Sequence, residues 1–409
     1  MPVAPPESPP HARRSAPRER PARRFPHTIV RPLAGRLDPA DRDVLWLYLL
    51  TRISVWVTAY CVGWVFPPER GTRAAPPVLA FERWDWGHYL SIAREGYFPE
   101  GDGPWRGDWD NREAFFPGFP LVLRAVHTVV PHWTAAGLLI SFAAGAVAVL
   151  ALARIARRYL PGTEGDRRAV LFLLLSPCAV FLAAGYTEAL FLAFALPAWL
   201  AAQRHHWPLA AVLTAAATAV RVSGLFLAAA VALHFLRTAR SHGRGRALPW
   251  LALPALPVAA QTWYLHAHTG DWMAWRNAQE RGWNRAFHAP WDAWAHTWHA
   301  AFDRVQSTGF AIMFQAELVA MLLGLALLCA LLWRRRWPEA VYIGLTLWAL
   351  GTSYWYMSIP RSTLLWWPLW IGLAALSLRR PRVMAVYLCV AAPLGVLFTV
   401  TFLSGRWAG

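Results

Sequence analysis

Long apolar runs with very few charges fill the chain from about residue 43 to its end, and they fix the solvent in which it folds. They lie near 43–66, 134–153, 169–186, 189–203, 208–220, 222–236, 249–267, 306–333, 338–356, 363–378 and 383–403. Several approach the roughly 20 residues that an α-helix needs to cross a bilayer. Charged residues make up 15% of the 409, against about 25% in soluble domains. The sequence therefore predicts an all-α polytopic membrane protein with about 11 transmembrane helices.

The formal charge of +17 does not mark a nucleic-acid binder. The arginines gather in a tail and in short connections between apolar runs, the pattern of the positive-inside bias. Lysine is absent, so all 40 basic side chains are arginine, which excludes Schiff-base chemistry and a P-loop lysine. Cys61, Cys178, Cys329 and Cys389 each fall inside an apolar run without metal-type spacing; they read as small buried hydrophobes rather than disulfides or zinc ligands.

Residues 1–42 hold ten prolines and nine arginines, the composition of a disordered basic tail beside an anionic inner leaflet. The remainder, 43–409, reads as one transmembrane domain. With the tail cytoplasmic, the clusters at Arg154–Arg168, Arg204, Arg237–Arg246, Arg334–Arg336 and Arg379–Arg382 all fall inside. This requires that Phe115–Pro131, short and interrupted by Arg124 and His127, lie at the outer interface as an embedded helix. Two outer segments follow, 67–133 and 268–305. The N-terminal part of the first, 67–113, carries nine of the 23 acidic residues. The plasma membrane with a cytoplasmic N-terminus is the expected location.

Within the first outer segment, Arg83-Trp84-Asp85-Trp86 opens a stretch in which Tyr89, Ile92 and Ala93 recur at helical spacing. Asp85 is thus placed near the N-terminus of a short amphipathic helix. A carboxylate between indoles suits a general base, since desolvation raises its pKa; equally, it could cap the helix and pair with Arg83 or Arg94. Glu188 follows Gly185-Tyr186-Thr187 at the outer end of a run, where an ionisable group is a functional candidate or a partner for Arg221. Arg221 and Arg361 could neutralise acids or bind phosphate bidentately. Glu113 and Gln279 also stand on the outer side. His268, His288, His296 and His299 invite a metal site, but amphipathic interfacial helices explain them as well, and no metal is assigned.

Arg83-Trp84-Asp85, Ile92-Ala93, Gly96-Tyr97 and Ala114-Phe115-Phe116-Pro117-Gly118-Phe119-Pro120 resemble the first outer loop of PIG-V-like mannosyltransferases, the family of the enzyme adding the second mannose to GPI anchors. Ser176-Pro177 and Phe181 to Phe191 are similar to another stretch of that family, and Arg221-Val222-Ser223-Gly224 matches more loosely. The resemblance covers residues 80–225 well. It implies a GT-C type fold, a polyprenyl-phosphate-mannose donor, no tightly bound cofactor, and a catalytic acid at Asp85 with Glu188 and Arg221 in the site. The lysine-free composition looks like that of a high-GC bacterium, so the acceptor does not carry over.

These expectations combine into an inverting transfer of mannose from the lipid donor to an acceptor hydroxyl at the outer face. Asp85 would take the proton, Trp84 and Trp86 would form a sugar-stacking wall, and Arg221 with Arg361 would meet the leaving phosphate. Glu113, Glu188 and Gln279 complete the expected substrate-binding set. Phosphate as leaving group makes a divalent metal unnecessary in principle. Expected partners are the lipid-linked donor, an unnamed glycan, glycolipid or protein acceptor, and the membrane. Another lipid-linked sugar, or transport of a lipid-linked intermediate, stands as the alternative.

Overall fold

The computed structural model describes residues 1, 3, 38–66, 76–99, 111–160, 162, 164–239 and 245–409. The expected disordered tail lies almost wholly outside the described residues, as do parts of the first outer segment. Residues Pro39–Gly409 form one compact unit. In chain order its helices are α1 (Pro39–Val65), α2 (Asp85–Glu95), α3 (Gly118–His127), α4 (Trp133–Tyr159), α5 (Glu164–Leu174), α6 (Thr187–Gln203), α7 (Trp207–Val220) and α8 (Gly224–Ala239). There follow α9 (Leu256–Thr269), α10 (Ala274–Trp283), α11 (Pro290–Phe302), α12 (Thr308–Trp333), α13 (Trp337–Gly351), α14 (Ile359–Ser362), α15 (Trp367–Arg379) and α16 (Arg382–Leu403). Among the described residues there is no strand.

Four of these, α1, α4, α12 and α16, are long and apolar enough to cross a membrane. The 27 residues of α4 rise about 40 Å at 1.5 Å each. Other apolar runs are broken, and the breaks have local causes. The run 169–186 is not one helix: α5 stops at Leu174, and Ser176-Pro177 leads into a 3-10 turn at Ala179–Leu182. Proline lacks the amide a helix needs and disfavours helical backbone before it. Pro249 and Pro254 act likewise, holding Gly245–Ala255 in 3-10 form before α9 begins. The ten residues of α3 rise only about 15 Å, too little to cross.

The bundle packs around α4, whose buried face is built from small residues including Ala144, Gly145, Ala148 and Ala151. Small side chains let helices approach closely where lipid supplies no hydrophobic drive. α4 packs against α1, α5 and α6, and α6 against α7. At one such approach Tyr48 of α1 lies over Gly145 and donates its hydroxyl to the Phe142 carbonyl at 2.8 Å. Elsewhere α12 packs with α11 and α13, and α15 with α5.

Candidate active site

α2 begins at Asp85 and buries Trp86, Tyr89, Ile92 and Ala93. The residue before it, Trp84, has φ 50° and ψ −117°, a conformation rarely adopted by a non-glycine residue. Two long-range contacts hold that turn: Arg83 Nη2 donates to the Leu403 carbonyl at 3.2 Å, and Trp84 Nε1 to the Arg406 carbonyl at 3.2 Å. Tyr186 adds a third by donating its hydroxyl to the Arg83 carbonyl.

The turn aims Asp85 at a chain of alternating charges. Asp85 Oδ2 accepts from Arg361 Nη1 at 2.6 Å, and Arg361 Nε donates to Glu188 Oε1 at 2.6 Å. The same Glu188 oxygen accepts from Arg221 Nη1 at 2.5 Å, which also donates to Thr187 Oγ1 at 2.6 Å. Glu188 lies in the first turn of α6 and Arg221 caps the end of α7, each at the helix end whose dipole favours its sign. Glu188 is fully buried and Arg361 nearly so. The Arg361 guanidinium also sits over the rings of Phe181 and Tyr186, at 4.7 and 4.8 Å, where the ring quadrupoles favour a cation.

This arrangement corrects the expected acidity of Asp85. Burial pushes its carboxyl up, but the charge and hydrogen bond of Arg361 outweigh burial and hold it below its ordinary value, with His88 and Arg221 adding to the pull. Desolvation alone would have favoured the neutral acid. Its partner is Arg361, not Arg83 or Arg94 as sequence proximity suggested.

Asp85, Arg221 and Arg361 line a cavity of about 750 Å³, and Trp84 and Gln279 line it too. Gln279 donates its Nε2 to the Ala114 carbonyl at 2.8 Å, joining α10 to the segment before α3. Trp86 is not on the cavity wall. Its indole is 2% exposed and is wedged against Gly137 of α4 and Gly185, so close that a Cβ on either glycine would meet ring carbon at 2.5 Å. Burial takes it out of any sugar-stacking role and makes it the anchor of α2. Glu113 is likewise buried behind the wall rather than lining the cavity.

Sequence inspection passed over Arg285, which lies between α10 and α11 and lines the same cavity. Burial, then repulsion from Arg221, pushes its guanidinium down to about 10. Its one sequence signal is the preceding Asn284, a residue type that tolerates the left-handed backbone (φ 52° here) needed to turn the chain inward. Among the described residues no three metal-ligating side chains converge. His296 lies beside Tyr354, and His299 pairs with Asp303.

Fold and site together define a helical membrane protein with a buried acid–arginine chain on the wall of a large cavity. Residues 78–241, which include Asp85, Glu188 and Arg221, match the family described as Mannosyltransferase (PIG-V). Through that region the chain is similar to the PIG-V mannosyltransferases. Its relatives include GPI alpha-1,6-mannosyltransferase 2 of Mus musculus, 30% identical over 253 residues, covering 54% of this chain and 48% of the mouse protein. The Homo sapiens protein of that name is 30% identical over 215 residues, covering 46% of this chain and 41% of the human one. The chain thus matches under half the length of these relatives. Among solved structures, ArnT from Cupriavidus metallidurans bound to undecaprenyl phosphate aligns with a TM-score of 0.47 and 16% identity, over 84% of this chain and 62% of that one.

Proposed function

We propose that the protein is a membrane glycosyltransferase of GT-C type, with about 11 crossings and a cytoplasmic N-terminus. It moves mannose from a polyprenyl-phosphate-mannose donor to an acceptor hydroxyl at the outer face, with inversion. The observation that carries this is the Asp85–Arg361–Glu188–Arg221 chain on the wall of the 750 Å³ cavity, three of whose four members lie within the mannosyltransferase match. A cavity of that size suits a sugar and part of a lipid phosphate.

In the proposed step the acceptor oxygen attacks the anomeric carbon while Asp85 takes its proton. The bond from that carbon to the phosphate oxygen breaks, and the electron pair leaves on the lipid phosphate. Arg361 keeps Asp85 ionised before the acceptor arrives. As negative charge grows on the departing phosphate, it competes with Asp85 for the Arg361 guanidinium, and a loosened pair makes the carboxylate a stronger base as the proton is released. Trp84 and Gln279 stand on the same wall to contact the sugar. The positive-inside bias supports the outer-face placement, since with a cytoplasmic N-terminus and about 11 crossings the arginine-rich connections all fall inside.

The test is transfer of labelled mannose from polyprenyl-phosphate-mannose by the purified full chain in proteoliposomes, beside Asp85→Asn. The variant should lose at least about 10²-fold in rate while keeping its membrane insertion and a cooperative fold. Substantial activity in Asp85→Asn would sink the assignment of the base; no transfer by the unaltered protein from any lipid-phosphate sugar would sink the reaction class.

A further inference from the structure

The cavity carries more positive charge than its own acids neutralise. Four arginines line it: Arg221, Arg276, Arg285 and Arg361. Among the described lining side chains Asp85 is the one carboxylate, and the buried Glu188 stands directly behind it. Arg361 is taken up by both acids and Arg221 by Glu188, so these two cations and two anions cancel. Arg276 is exposed at the rim. Arg285 is half-buried, and among the described residues no carboxylate pairs with it. The nearest further acid, Glu317, is committed to backbone: its two oxygens accept from the Ser358 and Ile359 amides at 2.6 and 2.8 Å.

Arg285 is also held in place before any ligand arrives. Its own amide donates to the Gln279 carbonyl at 3.3 Å, and the neighbouring Asn284 carbonyl accepts from the Tyr354 amide at 3.2 Å. The His288 amide donates to the Thr352 carbonyl at 2.8 Å, and the Trp283 ring meets Phe115 edge-on at 5.3 Å. The segment between α10 and α11 is therefore pinned on both sides of the guanidinium. A fixed, partly desolvated guanidinium with its donors uncommitted matches a phosphate oxygen pair, and burying it without a partner is costly unless an anion comes to it.

We propose that Arg285 is the residue that holds the phosphate of a polyprenyl-phosphate ligand before reaction, while Arg361 is drawn to it only as charge grows on the departing phosphate and Arg221 serves chiefly to orient Glu188. The inference rests on the lipid-phosphate donor proposed above and assigns its anionic group to a residue outside the paired chain. The guanidinium pKa is lowered first by burial and then by repulsion from Arg221, so an arriving anion would restore the charge that burial opposes.

The experiment measures binding of decaprenyl monophosphate, decaprenol and inorganic phosphate to the full chain in nanodiscs, for the unaltered protein, Arg285→Gln, Arg285→Lys and Asp85→Asn. Loss of one charge-assisted contact should weaken decaprenyl monophosphate by about 10- to 100-fold in Arg285→Gln. Arg285→Lys should recover part of this, Asp85→Asn, which frees Arg361 of one acid, should bind no more weakly than the unaltered protein, and decaprenol should bind Arg285→Gln and the unaltered protein alike. Inorganic phosphate binding as tightly as the lipid phosphate would overturn the lipid source and point to a free anion. Arg285→Gln binding the lipid phosphate undiminished would overturn the inference and leave the donor intact. Failure of the unaltered protein to bind any phosphate probe would overturn both. Melting temperatures of all four proteins separate loss of a contact from loss of fold.

Discussion

The seat of Trp86 gives the sharpest prediction for the site. A Cβ at position 185 would lie 2.5 Å from Trp86 Cζ3 and 2.9 Å from Cε3, whereas carbon atoms pack at about 3.5–4.0 Å. Gly185→Ala therefore demands about 1 Å of movement from a rigid, buried indole, with Gly137 closing the other side. Overpacking of this kind costs about 1–3 kcal/mol. The backbone that must shift is that of α2, one residue from Asp85, whose 2.6 Å contact with Arg361 has little slack. A displacement of about 1 Å at a reacting group can cost around 10²-fold in rate. The assay is turnover of lipid-linked mannose in proteoliposomes, paired with a thermal melt. We expect Gly185→Ala to lose roughly 10- to 100-fold in kcat while melting only a few degrees lower. Adding Trp86→Phe, whose smaller ring makes room, should restore part of the rate. A Gly185→Ala protein with undiminished turnover, or a double variant no better than the single, would refute the argument that α2 is positioned by this wedge.

Two further expectations concern the charges. Glu188→Gln removes the carboxylate shared by Arg221 and Arg361 and should cost about 3–5 kcal/mol, the scale for breaking a buried pair by deleting one partner; the melt should fall further than for the more exposed Asp85→Asn, and equal losses would count against Glu188 as the hub. In the folded protein the Asp85 carboxyl lies below its ordinary value because Arg361 opposes burial. The stability from this pair is therefore fully present above the ordinary carboxylate range and is lost as pH falls through the lowered value. In Arg361→Gln burial persists without the cation, so the acid limb of the kcat/KM profile, or of the melting-temperature profile, should move to higher pH. A limb that stays in place would remove Arg361 as its cause.

Much of this was legible in the sequence because it is local. The start of α2 at Asp85 followed from helical spacing, the shortness of α3 from its interrupting polar residues, and the pairing of Glu188 with Arg221 from their placement at the ends of neighbouring apolar runs. What escaped depends on how distant segments meet. Asp85 lies 276 positions from Arg361, and no spacing rule connects them; nearer arginines looked equally able to pair. Trp86 resembled a sugar platform because composition cannot say which side of a helix faces a glycine cleft in another. Arg285 was hidden because its importance comes from the lack of a nearby acid partner, which appears only once every neighbour is placed. The break in the run 169–186, by contrast, was foreshadowed by Pro177, since a proline inside an apolar run disfavours continuous helix.

The clamps that shape the turn before α2 come from residues much later in the chain: Arg83 is bonded to Leu403 and Trp84 to Arg406, 320 and 322 positions away. During synthesis the chain emerges at about 5–20 residues per second. Asp85, Glu188 and Arg221 therefore enter the membrane well before Arg361 and α16. Over that interval the Asp85 carboxylate has neither its Arg361 counter-charge nor its clamped turn, so the half-made bundle cannot hold the proposed base in the geometry of the finished site. By the proposed mechanism competence requires α16 to have packed, so assembly itself is the step that arms the site, and a chain stalled before α16 should be inserted in the bilayer yet chemically silent.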